Sequence, residues 1–139
     1  RVSSSAASDV YKRQGKKDIL NNPADAIGSV ANFLSSTDGN KRGWKANGFI
    51  AVKANAKKSN KLIKSSFKLK PYEYLDIKAE KERDFIDEYI QISLFPNDPS
   101  QEEYWLGDKN LYAITRYNPS SKYAMTVFLL SEEIANIGR

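Results

Sequence analysis

Few kinds of group in this chain can move a proton or hold a ligand. Its 139 residues include no His and no Cys, which excludes a Ser-His nucleophile pair, an imidazole-held metal, thiol catalysis and a thiolate zinc site. Acid–base work is left to Asp, Glu, Lys or Tyr. The carboxylates cluster as Glu80-Lys81-Glu82, Glu102-Glu103 and Glu132-Glu133, runs that read as solvated faces, and none is nominated as a catalytic acid. Residues suited to binding gather near the carboxyl end, where Tyr117 and Asn118 precede Pro119 and Tyr123 follows it. A Tyr ring can stack on a flat ligand, and an Asn amide offers both a donor and an acceptor. On the residues alone, core tyrosines and a turn-forming Asn before proline are the favoured reading.

Three zones position these groups. In the first, Asn22 can cap a helix, Pro23 suits its first position and Asp25 lies near its positive end. Ile27, Val30, Ala31 and Leu34 then form one apolar stripe, and Asp38-Gly39-Asn40 ends it. Gly28 weakens that helix by up to about 1 kcal/mol relative to Ala, so a close neighbour is expected there.

Residues 44–108 read as a small β-rich unit. Ile50, Val52 and Ala54 alternate onto one face, as do Ile90, Ile92 and Leu94. Pro96-Asn97-Asp98-Pro99 marks a turn, with Glu103 to Leu106 as its return strand. Lys70 to Leu75 fits either a strand or one helical turn. The third zone, Ser121 to Asn136, is a helix apolar on nearly every side, which demands a larger body around it than the rest of this chain is expected to supply.

Charge is unevenly placed. The net formal charge is +5, but residues 41–70 hold ten Lys/Arg and no acid, whereas residues 71–108 hold three basic and eleven acidic residues. No apolar run approaches the roughly 18–20 residues a bilayer-crossing helix needs. The length suits one modest domain.

Three blocks carry a family resemblance. Residues 22–34, Asn-Pro-Ala-Asp-Ala-Ile-Gly-Ser-Val-Ala-Asn-Phe-Leu, are followed by Gly43-Trp44. Residues 103–134 contain Tyr104-Trp105-Leu106-Gly107, then Ile114-Thr115-Arg116-Tyr117-Asn118, then Tyr123-Ala124-Met125-Thr126-Val127. In order and spacing these resemble the carboxyl-terminal part of the B-type lytic murein transglycosylases. The resemblance implies an α+β fold: a small β-rich subdomain between two helices that belong to a larger, lysozyme-like α domain, here truncated. The implied layout is a leader at 1–14, a helix of the α domain within 15–43, the β-rich subdomain at 44–108, and a groove segment with the last helix at 109–139.

The activity implied is periplasmic, non-hydrolytic cleavage of the bond between N-acetylmuramic acid and N-acetylglucosamine. The C6 hydroxyl displaces the leaving sugar and a 1,6-anhydro end remains. One Glu serves as acid and then base, unlike the two-carboxylate scheme of most glycosidases. In the family that Glu lies in a Glu-Ser-x-(Tyr/Phe)-Gly motif, and no Glu here is followed by Ser. The chain is therefore expected to be inactive by itself. The resemblance carries over Tyr117, Asn118 and Tyr123 as residues lining the saccharide groove, and Phe33 where relatives have a groove Tyr.

The resemblance also implies a calcium loop before the first helix. Gly15, Lys16, Asp18 and Asn21 would fall on its sixth, seventh, ninth and twelfth places. Val10, Lys12 and Gln14 would take the first, third and fifth, where carboxylates are needed, so no functional metal site is expected. No cofactor is expected either. Ser4 to Gln14, Ser-Ser-Ala-Ala-Ser-Asp-Val-Tyr-Lys-Arg-Gln, match the translation of a transposon-type sequencing adapter and read as a disordered, non-native leader. The expected partner is the glycan strand of peptidoglycan, bound by a monomer, with membrane association only through an anchor lost from the amino end. Two other classes compete. One is a non-catalytic peptidoglycan-binding module. The other, disfavoured, is a nucleic-acid-binding surface built on the basic block with Trp44, Phe49 and Phe67.

Overall fold

The structure is a computed structural model that describes residues 49–57, 62–81, 87–95 and 97–137. The helix expected from Asn22, Phe33, the loop residues Gly15, Lys16, Asp18 and Asn21, Gly43-Trp44 and the leader lie outside the described residues.

Five antiparallel strands form one sheet: β1 (Ala51–Ala56), β2 (Ser66–Pro71), β3 (Ile77–Ala79), β4 (Glu88–Leu94) and β5 (Glu103–Gly107), in the order β2-β4-β5-β1-β3. Two helices follow, α1 (Lys109–Tyr117) and α2 (Ser121–Ile137). The class is α+β. Strands and helices share one core: Ile90, Ile92 and Leu94 of β4 pack with Leu111, Ala113 and Ile114 of α1 and with Ala124 to Leu130 of α2. The opposite face of the sheet carries a second core, in which Ala54, Ile77, Tyr89 and Leu106 meet Ile63 and Leu75 from the connecting segments.

Central β4 is covered on both faces, and this decides its composition. Ile90, Ile92 and Leu94 are wholly buried on the helix side, while Tyr89, Gln91 and Ser93 are buried on the other. Gln91 avoids the penalty of an unpaired buried amide. Its Nε2 donates to the Lys64 carbonyl at 2.8 Å and its Oε1 accepts from the Asp76 N–H at 3.3 Å, which ties two covering segments to the sheet.

The turn and return strand expected after β4 are present, with Leu94 opposite Glu103 and Ile92 opposite Trp105. Asp98 organises that turn: its N–H donates to the Phe95 carbonyl at 3.0 Å, and its Oδ1 accepts from the Ser100 N–H and hydroxyl. Lys70 to Leu75 turns out to be both alternatives in sequence, a strand through Pro71 and then a 3-10 turn at Tyr72–Tyr74.

Two expectations are corrected. Ile50 does not share a face with Val52 and Ala54. It precedes the strand and packs on the helix-side core, whereas the other two line the opposite one. The expected shortage of cover does not extend to the middle of the last helix: Ala124 to Leu130 are all buried within this chain, and Thr126 satisfies its hydroxyl on the Lys122 carbonyl at 2.7 Å.

Candidate functional site

The carboxyl-terminal residues singled out above meet at the junction of the two helices. Helix α1 begins after Asp108, whose carboxylate accepts from the Lys109 N–H at 2.6 Å and so caps one free amide of the first turn. Leu111, Ala113, Ile114 and Thr115 turn inward, which leaves Arg116 and Tyr117 exposed at the last turn. Asn118 closes the helix in an extended conformation, with its N–H donating to the Ile114 carbonyl at 3.1 Å. Pro119 cannot continue the helix. Ser120 then starts α2: its Oγ accepts from the Tyr123 N–H at 3.1 Å and its carbonyl from the Ala124 N–H at 3.0 Å.

This short corner sets the two tyrosines face to face. The rings of Tyr117 and Tyr123 lie 6.4 Å apart between centroids and 20° from parallel. Tyr117 is 40% exposed, while Tyr123 and Asn118 are half-buried. The result is an open aromatic wall with an amide beside it, held on two helix ends that are themselves fixed in the core. Such a surface can stack a flat apolar sugar face and bond its hydroxyls. The structure thus brings Tyr117, Asn118 and Tyr123 together, whereas Phe33 falls outside the described residues.

Two cations, Arg116 and Lys122, flank the pair in the chain and lie over other rings. The Arg116 guanidinium lies 5.0 Å from the Tyr112 ring centroid, and Lys122 Nζ lies 6.0 Å from that of Phe95. Their adjacency to Tyr117 and Tyr123 was the available signal; the ring partners, several to many residues away in the chain, were not.

The acidic runs are less solvated than expected. Glu80 and Glu132 are exposed, but Glu102, Glu103 and Glu133 are half-buried. Glu103 Oε2 accepts from the Trp105 indole N–H at 3.2 Å, and Trp105 in turn meets Phe128 edge-on at 6.1 Å. Glu102 accepts from the Tyr104 hydroxyl. Burial, with that bond and the charge behind it, pushes the Tyr104 phenol up to about 12. These carboxylates hold aromatic side chains in place, a role that runs of acids in a sequence do not disclose. Glu133 Oε2 is buried with no hydrogen-bond partner.

Comparison with known proteins agrees with this architecture. A family model described as the transglycosylase SLT domain matches residues 3–132, a span that includes most of the stretch read as a leader. Membrane-bound lytic murein transglycosylase B of Escherichia coli K12 is 35% identical over 116 residues, covering 81% of this chain and 30% of that protein. Among solved structures, the Escherichia coli lytic transglycosylase Slt35 in complex with calcium superposes with a TM-score of 0.60 at 29% identity, covering 84% of this chain and 36% of that one. The same enzyme in complex with bulgecin A gives 0.55, covering 84% and 35%. Catenated SltB1 of Pseudomonas aeruginosa gives 0.56 at 26% identity, covering 84% and 38%. The chain spans about a third of the length of these relatives. With a family model covering nearly its whole length, it belongs to the transglycosylase SLT domain family.

Proposed function

We propose that this chain forms one wall of the saccharide groove of a lytic transglycosylase and binds the glycan strands of peptidoglycan without cleaving them by itself. The stacked Tyr117–Tyr123 pair, exposed at a corner between two capped helices, is the observation that carries the reading. Tyr117 and Tyr123 supply the sugar-stacking faces and Asn118 the polar contact. Phe33, which lacks the hydroxyl of a groove Tyr, would contribute shape alone. In a complete groove the reaction would need a carboxylic acid held protonated near neutrality by partial burial. No Glu-Ser motif is present to supply it, and of the described glutamates Glu73, Glu80 and Glu132 are exposed, Glu102 and Glu103 are engaged with aromatic partners, and Glu88 and Glu133 are half-buried.

Calcium has no part in this reading. The donor set at Gly15, Lys16, Asp18 and Asn21, completed by Val10, Lys12 and Gln14, brings one carboxylate to a site that requires several. Family membership supports a periplasmic setting for the parent, in which the chain acts as a monomer on a carbohydrate partner. Nucleic acid is not a partner.

The test has two arms. Titration of the purified chain with uncharged N-acetylglucosamine oligosaccharides, followed by NMR, should perturb the ring resonances of Tyr117 and Tyr123. Incubation with murein sacculi should release no anhydro-muropeptides. Unmoved tyrosine resonances would overturn the groove, and released anhydro products would overturn the missing acid.

A further inference from the structure

Phe95 has a backbone that its side chain does not favour. Among the described residues it is the one non-glycine residue with positive φ, at 54°. Cβ crowds the following carbonyl there, so a bulky residue is strained by roughly 1–2 kcal/mol where Gly is not. Strain of this kind persists only where the surroundings impose it, and an observed outlier is grounds for seeking a role. The ring shows where the compensation lies. Phe95 leaves the end of β4 and packs on the helix-side core, with Lys122 Nζ 6.0 Å from its centroid. Lys122 sits in the first turn of α2, directly before Tyr123. A Gly at this position would relax the backbone but remove the ring that packs on the core and faces the Lys122 ammonium.

We propose that Phe95 is a positioning residue for the saccharide groove. Its strained turn presses an aromatic ring against the start of α2 and thereby sets Tyr123 at its stacking distance from Tyr117. The link runs from the rigid centre of the sheet, through one side chain and Lys122, to the binding ring next in the chain. The inference rests on the groove reading above for its functional meaning, but the placement of Tyr123 can be measured without any sugar.

The test is a double-mutant cycle on the full chain. Phe95→Gly suits the left-handed backbone and should fold, and Phe95→Asn, also tolerated there, serves as a second truncation. In the free protein either variant should shift the ring resonances of Tyr123 and weaken the cross-peaks between its ring and that of Tyr117, while Phe95→Tyr restores both. Affinity for an N-acetylglucosamine oligosaccharide should fall about two- to tenfold, the range of an aromatic stacking contact. That fall should vanish when Phe95→Gly is made in a Tyr123→Ala background. Unchanged Tyr123 resonances in both truncations, or an undiminished loss in the Tyr123→Ala background, would overturn the proposal. Shifted resonances in a protein that binds no sugar would uphold the positioning and overturn the groove reading alone.

Discussion

At Gly107 the main chain leaves β5 and enters α1 with Asp108 alone between them. A Cβ built there would lie 2.3 Å from Leu111 Cδ2 and 2.7 Å from Leu111 Cβ. The second atom is fixed to the helix backbone, so rotation of a flexible side chain cannot relieve the clash. Gly107→Ala should therefore lower stability by about 1–3 kcal/mol, the usual penalty of overpacking, seen as a lower denaturant midpoint at unchanged slope. Tyr104 gives a second test at this scale. Its phenol is held up to about 12 by burial first, then by the bond to Glu102 and the repulsion of that charge. The folded state therefore keeps its proton where the unfolded chain, at about 10, has lost it. The contribution is fully present below about pH 10 and fades as pH rises toward 12. In an ultraviolet titration, Glu102→Gln should lower the Tyr104 midpoint part of the way, since burial remains. Tyr117, Asn118 and Tyr123 were legible as residues because their types and order carry a family pattern. Their face-to-face geometry was not, because it depends on where Pro119 breaks one helix and Ser120 starts the next.

At the scale of elements, α1 was the omission. Its signals were present: Asp108 as a cap, then Leu111, Ile114 and Thr115 at helical spacing. The groove segment was read through its family motif instead, and nine residues bounded by Pro119 offer a short window for periodicity. Asp108→Ala should cost about 0.5–2 kcal/mol by releasing the helix start, with Asp108→Asn close to neutral, as thermal or denaturant unfolding would register. β4 was readable from Ile90, Ile92 and Leu94, but alternation alone suggests one wet face, whereas Gln91 and Ser93 are buried as well. What misleads is Gln91, whose amide is paired by Lys64 and Asp76, partners far away in the chain. The 3-10 turn after β2 posed the opposite problem, since Lys70 to Leu75 contains both structures and no single period describes it.

On the scale of the whole molecule, one sheet separates two cores and carries the helix pair on one of its faces. The all-round apolar sequence of α2 was sound grounds for expecting burial, but how much of the chain would gather around it depends on long-range packing that periodicity does not encode. Two outcomes belong here. Calorimetric titration with calcium should show no micromolar binding, because the first, third and fifth loop places hold Val10, Lys12 and Gln14. Removal of residues 1–14 should leave both the unfolding midpoint and the oligosaccharide affinity unchanged if that stretch is a leader, and a fall in either would assign it to the fold.

Because β4 is flanked by β2 and β5 and sealed above and below, its amides can meet solvent deuterium only when the entire body opens. Those of the outer strands β2 and β3 can trade protons through small local breaths. The slowest-exchanging strand is thus the one that runs directly into the bend at Phe95, so the tyrosine wall is anchored to the most persistent part of the protein and should keep its shape while the sheet margins fluctuate.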